Sequence, residues 1–190
     1  MNTNDFGRIL TNASAVDRNK TDYYPTPPEC TRVLANYMRL NGKRVWEPAC
    51  GAGHMASELE QCGAEVIATE LHYQGYGEGG VDFLTADMPE GVDAIVTNPP
   101  FRLSAQFIER CIGHGVSFAM LLKSQCWHSA RRRELFEAHR PSAVLPLTWR
   151  PDFHFGAKGG SPTMEVIWTV WGNRPANITE YLPMPRAALN

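Results

Sequence analysis

The sequence has few cysteines, and none of them is spaced for a metal site. Five occur among 190 residues, an odd number without the C-x-x-C pair that zinc sites commonly use, which also argues against a disulfide framework. No apolar run approaches the length that a membrane span needs, and the first residues do not resemble a signal peptide. We expect one domain in a reducing cytoplasm, without a metal or a membrane contact.

Basic residues are missing from much of the first half. Between Arg44 and Arg102 there is no Lys or Arg, whereas residues 45–93 hold ten Asp and Glu. Residues 102–190 hold eleven Lys and Arg against six acids, although the whole chain has a net charge of −2. This division is expected if the acidic half binds a cationic small ligand and the basic half a polyanion. Uneven but functionless surface charge is the alternative.

Predicted strands and helices alternate along the chain. Short runs rich in β-branched and aromatic residues predict strands, and apolar residues at helical spacing predict the helices between them. The predicted strands are 44–47, 65–69, 81–84, 92–96, 116–122, 143–147 and 164–171, the last two joined without a helix. This order predicts an α/β fold with a doubly wound, seven-stranded, mostly parallel sheet and a C-terminal antiparallel hairpin.

The remaining segments predict a simple domain plan. Residues 1–20 are polar and predict a flexible N-terminal arm. Residues 21–172 form the predicted domain, followed by a proline-rich tail over 173–190 that lies on the surface. The glycine-rich stretch 75–80 is expected to be a flexible loop only. Thr26 and Glu29 have the spacing of a capping box, so Thr26 is predicted to cap the first helix.

A glycine-rich turn follows the first predicted strand. Gly51 and Gly53 let the backbone approach a ligand closely at the N-terminus of the next helix. With Ala56 and the downstream Glu70, they also match the dinucleotide fingerprint of nicotinamide enzymes. Glu47, directly before the turn, disfavours a pyrophosphate and suits a cationic ligand. Glu70, at the end of the second strand, is placed to accept hydrogen bonds from ribose hydroxyls.

The most informative stretch is Asn98-Pro99-Pro100-Phe101, after the fourth predicted strand. The prolines end the strand and hold Asn98 extended. The Asn98 side-chain oxygen and the Pro99 carbonyl are then two acceptors near one point, which suits an exocyclic amine with two N–H groups. Phe101 is placed to stack on the ring that carries the amine. A proline-rich turn without function is the alternative that these four residues alone leave open.

These four residues resemble the catalytic motif of amino-methyltransferases, above all the small phage-type DNA adenine-N6 methyltransferases. WEPACGAG resembles the first motif of S-adenosylmethionine (SAM)-dependent methyltransferases, and DYYPTP resembles the segment before the first helix of the phage-type enzymes. The resemblance covers about residues 22–170. It implies the Rossmann-like class I methyltransferase fold, SAM as cofactor and adenine in DNA as substrate, in a bacterial or phage-infected cell.

The resemblance also implies the site residues. The catalytic set is Asn98, Pro99, Pro100 and Phe101. The cofactor set is Tyr24, Thr26, Pro27, Glu47, Pro48, Ala49, Gly51, Gly53, Glu70, Asp82 and Phe83, with Glu70 on the ribose and the last two on the adenine of SAM. The basic region with interleaved aromatic residues predicts the nucleic-acid surface. Its residues are Lys123, Trp127, Arg131, Arg132, Arg133, Arg150 and Lys158.

Two questions stay open at the level of sequence. We expect no target-recognition domain of the kind that larger DNA methyltransferases add. Recognition would then come from residues 123–163, from a second subunit such as that of a homodimer, or hardly at all. NPPF motifs also occur in methyltransferases of RNA bases and of protein glutamine. A SAM-binding partner subunit without turnover is the non-enzymatic alternative.

Overall fold

A computed structural model describes residues 24–153, 164–174 and 176–186, so the predicted arm at 1–20 lies outside the described residues. In the described part, the helices are α1 (Pro28–Met38), α2 (His54–Gln61), α3 (Ser104–His114) and α4 (Ala130–Ala138). The strands are β1 (Arg44–Glu47), β2 (Glu65–Glu70), β3 (Glu78–Gly79), β4 (Ala94–Thr97), β5 (Ser117–Lys123), β6 (Ala143–Pro146), β7 (Val166–Trp171) and β8 (Glu180–Tyr181).

Across the described ranges, the eight strands form one sheet in the order β3-β2-β1-β4-β5-β7-β6-β8. The pairs from β3 to β5 are parallel, and β7 is antiparallel to both β5 and β6. The predicted fold class is therefore confirmed. Because β1, β2 and β4 run in the same direction, their carboxyl ends lie at one edge of the sheet, where doubly wound folds bind their ligands.

Helices cover both faces of the sheet. Side chains alternate between the faces along a strand, and β5 shows this clearly. Ala119 and Leu121 pack in the cluster that includes residues of α1 and α2. Phe118, Met120 and Leu122 pack in the cluster that includes residues of α3. Burial on both faces explains why this strand reads as a continuous apolar run.

The third strand lies earlier than predicted. It is Glu78–Gly79, within the segment that the sequence indicated as a flexible loop, and it pairs with the last two residues of β2. The backbone comes so close there that a Cβ at Gly77 would collide with the Ala68 carbonyl. Residues 81–84, predicted as the strand end, do not lie in a strand. Residues 83–85 form a turn, in which the Asp82 carbonyl accepts hydrogen bonds from the N–H groups of Thr85 and Ala86.

Part of the predicted surface tail joins the sheet. Glu180 and Tyr181 pair in parallel with β6, and the Met184 N–H donates to the Pro146 carbonyl. The tail also contacts the first helix, because the Tyr37 hydroxyl donates to the Glu180 carboxylate at 2.9 Å. These contacts extend the sheet by one strand beyond the seven predicted.

No helix within the described ranges is both long enough and apolar enough to cross a membrane.

Candidate active site

A pocket opens at the carboxyl ends of the parallel strands. It spans about 510 Å³, including space open to solvent. It brings together residues that are far apart in the sequence. They are Tyr24, Pro25, Thr26, Glu47, Ala49, Cys50, His54, Met55, Glu70, Gln74, Asn98 and Pro100. Seven of these belong to the catalytic and cofactor sets predicted from the sequence.

The Asn98 side chain is fixed in one orientation. Its Nδ2 donates to the Tyr24 carbonyl at 3.0 Å and to Thr26 Oγ1 at 3.1 Å. A carbonyl can only accept a hydrogen bond, so the amide nitrogen, and not the amide oxygen, must face Tyr24. The Oδ1 atom is therefore directed away from these partners and is placed to accept a hydrogen bond.

Thr26 does not cap the first helix, so the predicted capping box is wrong. The N-cap of α1 is Pro27, and it makes no side-chain capping bond. The Thr26 side chain is 3% exposed, and its hydroxyl accepts from Asn98, 72 residues away. The local spacing suggested a cap, but a tertiary contact uses the hydroxyl instead.

Glu47 is buried beneath the glycine-rich turn. It is 2% exposed, and its Oε2 has no hydrogen-bond partner. Burial raises the pKa of this carboxyl well above its usual range, the nearby Glu70 raises it further, and a backbone hydrogen bond from Ala56 acts in the opposite direction. A buried carboxyl oxygen without a hydrogen-bond partner is costly for the free protein. A cationic group in the pocket would remove that cost and lower the pKa.

Glu70 anchors the glycine-rich turn to the end of β2. Its Oε2 accepts from the Gly51 N–H at 2.9 Å, and its Oε1 accepts from the His72 N–H at 3.1 Å. Gly51 has a positive φ of 53°, which glycine adopts without steric cost. Glu70 lines the pocket, and each carboxylate oxygen can accept a further hydrogen bond.

Gly53 leaves space for an aromatic side chain. A Cβ at this position would collide with the ring of Tyr76, and the φ of Gly53 is +82°. Tyr76 is also hydrogen-bonded to Ser57 and Glu60 of α2. The sequence predicted that Gly53 lets the backbone approach a ligand closely. The structure shows that its small size is also required by the segment 71–80, for which the sequence predicted no structural role.

Gly53→Ala is expected to destabilise the fold more than Gly42→Ala. Both glycines have positive φ, but nothing lies within 4 Å of a Cβ at Gly42, so alanine there costs about 1 kcal/mol through the left-handed backbone alone. Displacement of Tyr76 adds about 1–3 kcal/mol at Gly53. Urea unfolding measures both. In a Tyr76→Ala background the two costs should become equal, and a persisting difference would contradict the Tyr76 contact.

Cys50 is suited to packing and not to nucleophilic attack. Its burial, and then the charges of Glu47 and Glu70, raise the pKa of the thiol to about 12. The thiol makes long contacts to the carbonyls of Gly51 and Tyr76, at 3.7 and 3.6 Å. Because the thiolate is the reactive form, this side chain stays unreactive at neutral pH.

Some predicted cofactor residues lie outside the pocket lining. Pro27 and Pro48 directly follow pocket residues in the sequence, and both are buried. Phe83 is 2% exposed and packs against Trp46 and Phe107, with ring centroids 5.1 and 4.7 Å away. The Asp82 carboxylate accepts from the Leu84 N–H at 3.0 Å. Phe83 therefore serves as a core side chain here, and the adenine contacts of both residues stay predictions.

An aromatic group adjoins the Asn98 corner. The Phe101 ring lies 5.7 Å from the Tyr24 ring, which in turn lies 6.1 Å from the Phe153 ring. The Lys123 Nζ lies 4.2 Å from the centroid of Phe101 and 5.3 Å from that of Tyr24, within the range of cation–π attraction. Lys123, one of the predicted substrate residues, therefore lies beside Phe101, which belongs to the same sequence motif as Asn98.

The other described residues of the predicted substrate set form stacking contacts, hydrogen bonds or ion pairs with residues close to them in the fold. The Trp127 ring stacks on Phe136 at 4.6 Å, and an Arg132 nitrogen donates to the Cys126 carbonyl at 3.3 Å. Arg133 and Arg150 form exposed ion pairs with Glu137 and Glu165, at 2.8 and 2.9 Å. Such exposed pairs are weak and leave the arginines available. The side chain of Arg131 and the whole of Lys158 lie outside the described residues.

Among the described residues, no group of three or more His, Cys, Asp or Glu side chains is arranged to hold a metal ion.

Pocket residues that the sequence did not predict come from loops and from a helix start. Gln74 lies in the turn after β2, His54 begins α2, and Pro25 lies between the two residues that contact Asn98. Gln74 has no motif around it, so only the three-dimensional structure reveals it. Pro25 lies inside the DYYPTP motif, and His54 directly follows the WEPACGAG motif, so both adjoin residues that were predicted.

A curated relative shares part of the chain, although no family model matches it. The chain is 29% identical over 101 residues to a tRNA (guanine(10)-N2)-dimethyltransferase of Methanothermobacter thermautotrophicus. The match covers 44% of this chain and 30% of the relative, so the chain corresponds to less than a third of that protein's length.

Solved structures show the fold more completely. A modification subunit assigned to a type I restriction enzyme of Vibrio vulnificus YJ016 aligns with 95% of this chain and 50% of its own, at a TM-score of 0.59 and 17% identity. The glycopeptide N-methyltransferase MtfA, solved in complex with SAM, aligns with 83% of this chain and 99% of its own, at a TM-score of 0.56 and 14% identity. The chain therefore has the Rossmann-like fold of the SAM-dependent methyltransferases.

Proposed function

We propose that the protein transfers the methyl group of SAM to the exocyclic N6 amine of adenine in DNA. The observation that carries this proposal is the fixed Asn98 amide. Because its nitrogen donates to the Tyr24 carbonyl and to Thr26, the side chain offers its oxygen as an acceptor at the pocket. The matching group on a substrate is a hydrogen-bond donor, such as an amine.

The pocket chemistry supports SAM as the cofactor. The buried Glu47 carboxyl has an unpaired oxygen, which suits the positively charged ammonium or sulfonium group of SAM. Glu70 and Glu47 both line the pocket with Asn98, so a cofactor held by the two acids would lie beside the amine acceptor. SAM supplies an electrophilic methyl group on a sulfonium. The acids of the chain hold and orient it, and no metal or covalent intermediate is needed.

The role of Asn98 follows from the chemistry of adenine N6. This nitrogen is a poor nucleophile because its lone pair is delocalised into the ring. An acceptor that holds its hydrogens favours a pyramidal nitrogen and stabilises the positive charge that develops during methyl transfer. The Pro99 carbonyl is the proposed second acceptor. The rest of the rate enhancement comes from positioning the amine in line with the methyl group.

DNA access requires the target base to leave the duplex, as in other enzymes that modify bases. Phe101, at the corner beside Asn98, is the proposed stacking surface, with Tyr24 next to it. The positive excess over residues 102–190 supports a nucleic-acid substrate, and the resemblance of residues 98–101 to the motif of DNA adenine-N6 methyltransferases favours DNA. A homodimer in which a second subunit contributes to recognition is part of the same proposal.

A second candidate is supported by a specific observation. The curated relative acts on the N2 amine of guanine in tRNA, as its name states, and this amine also offers two N–H donors to an acceptor such as Asn98. A protein glutamine amide poses the same chemical problem. Radiolabelled methyl transfer from SAM, offered DNA, RNA and protein in parallel, separates these substrates. Label in DNA supports the proposal, and label only in RNA or protein overturns it.

The basic region 123–163 is expected to determine the salt dependence of DNA binding. Removal of one cation that binds a phosphate should flatten the plot of log affinity against log salt by about one unit. We would compare Arg150→Ala combined with Lys158→Ala against the triple alanine variant of Arg131, Arg132 and Arg133.

A matched control for this prediction is Lys43→Ala. Lys43 is an exposed cation that directly precedes β1, at the edge of the sheet opposite the pocket. Its removal should leave the slope unchanged. If the double and triple variants behave like this control, DNA does not bind at residues 123–163, and a protein substrate becomes the better proposal.

A further inference from the structure

We propose that Thr26 is a positioning residue for Asn98, acting together with the Tyr24 carbonyl. The proposal rests on the proposed function in one respect only, namely that Asn98 is the acceptor for the substrate amine. In this proposal, the segment before α1 determines that the oxygen of the Asn98 amide, and not its nitrogen, faces the pocket.

The geometry supports a dedicated contact. Asn98 follows β4 and Thr26 precedes α1, so the two residues meet only in the folded protein. The Asn98 Nδ2 has two hydrogens, and each finds an acceptor, one on Tyr24 and one on Thr26. The Thr26 hydroxyl makes no capping bond to its own helix. Its buried position, at 3% exposure, limits competition from water.

The orientation of the amide has chemical consequences. An asparagine amide rotated by half a turn would present its NH₂ group to the substrate amine, and two donors would then face each other. The Tyr24 carbonyl favours the productive orientation, because it can only accept and would lose its donor in the rotated state. The Thr26 hydroxyl accepts the second bond from Nδ2 and so holds the amide in position. Removal of that bond leaves the amide held by the Tyr24 carbonyl alone, and its oxygen is placed less accurately.

The Tyr24 side chain holds its own carbonyl in place. The ring packs between those of Phe101 and Phe153, and Phe153 is 3% exposed. The backbone from Tyr24 to Thr26 is thereby fixed relative to the corner at the end of β4. Thr26 is the member of this pair that can be tested by substitution, since a backbone carbonyl cannot be removed by changing a side chain.

The test compares Thr26→Val, which keeps the shape and removes the hydroxyl, with Thr26→Ser, which keeps the hydroxyl. Thr26→Val should lower kcat by about ten- to a hundredfold through misplacement of the acceptor. Thr26→Ser should keep kcat within about threefold of wild type. The positioning role is proposed in place of the cofactor contact that the resemblance implies for Thr26, so the dissociation constant of SAM should stay within about twofold in both variants. Thermal unfolding checks that both variants are folded.

A second readout does not depend on activity. In protein labelled with ¹⁵N-asparagine, the side-chain NH₂ signal of Asn98 is identified by its absence in Asn98→Ala. Because both hydrogens are bonded in the structure, they should exchange with water more slowly in wild type than in Thr26→Val. Equal exchange rates in the two proteins would overturn the proposal.

Other outcomes are equally decisive. A Thr26→Val variant with wild-type kcat, or a Thr26→Ser variant as impaired as Thr26→Val, would show that the hydroxyl has no positioning role. A loss of SAM affinity that matches the loss of kcat/KM would make Thr26 a cofactor contact instead. If wild-type protein methylates RNA or protein and not DNA, the adenine proposal fails. The Thr26→Val and Thr26→Ser variants are then compared with the RNA or protein substrate that the wild-type enzyme methylates.

Discussion

Asn98→Ala is expected to lower methyl transfer by about a hundred- to a thousandfold, the loss typical of one removed electrostatic contact at a transition state. The substitution removes the acceptor that faces the pocket and leaves the acids Glu47 and Glu70 in place. SAM affinity should therefore stay within about twofold of wild type. Single-turnover transfer rates and calorimetry with SAM measure the two quantities.

Asn173→Ala is the matched control for this prediction. Asn173 is an exposed asparagine after β7, at the opposite edge of the sheet, and its loss should change neither quantity. An Asn98→Ala variant that loses SAM affinity as strongly as transfer would mean that this corner binds the cofactor. Wild-type transfer rates would remove Asn98 from the mechanism.

Glu70→Ala is expected to weaken SAM binding by about 1.5–3 kcal/mol, because the carboxylate would accept charge-assisted hydrogen bonds from the ribose. This corresponds to about ten- to a hundred-and-fiftyfold in affinity. The same variant also frees the Gly51 N–H, which donates to Glu70 in the structure. Calorimetry with SAM measures the loss.

Glu70→Gln separates these two effects. Glutamine keeps one oxygen that can accept from Gly51, but it loses the charge and one acceptor. An intermediate affinity for Glu70→Gln is expected. Glu78→Ala removes an exposed carboxylate from the neighbouring strand and serves as the control for charge alone. Unchanged SAM affinity in folded Glu70→Ala would exclude Glu70 from the cofactor site.

The positions of the pocket acids and of Asn98 could be predicted from the sequence because the ends of the strands could be predicted. Glu47 ends a predicted strand, Glu70 directly follows one, and Asn98 lies two residues after one. Parallel strands bring such positions to one edge. Burial of β5 on both faces produces an apolar run whose short length favours a strand over a helix. The fold class therefore followed from alternation and hydrophobicity, whereas the full strand order did not.

The third strand could not be predicted, since Glu78–Gly79 has neither β-branched residues nor periodicity. Close packing of Gly77 on Ala68 and of Gly79 on Tyr73 places it. The strand β8 likewise depends on the free edge of β6 and not on its own sequence.

The orientation of Asn98 was also beyond sequence reasoning. The motif predicted an acceptor, but the groups that fix the amide come from residues more than seventy positions earlier in the chain. Thr26 had a plausible local role as a helix cap. Local patterns identify what a side chain can bond, and the tertiary structure decides which bond it makes.

The most direct test of the proposed activity identifies the methylated atom. DNA is incubated with the protein and SAM that carries a deuterated methyl group, digested to nucleosides and analysed by mass spectrometry. We expect labelled N6-methyladenine with wild-type protein and its near absence with Asn98→Ala. Label in any other nucleoside, or N6-methyladenine formed equally well by Asn98→Ala, would contradict the proposed mechanism.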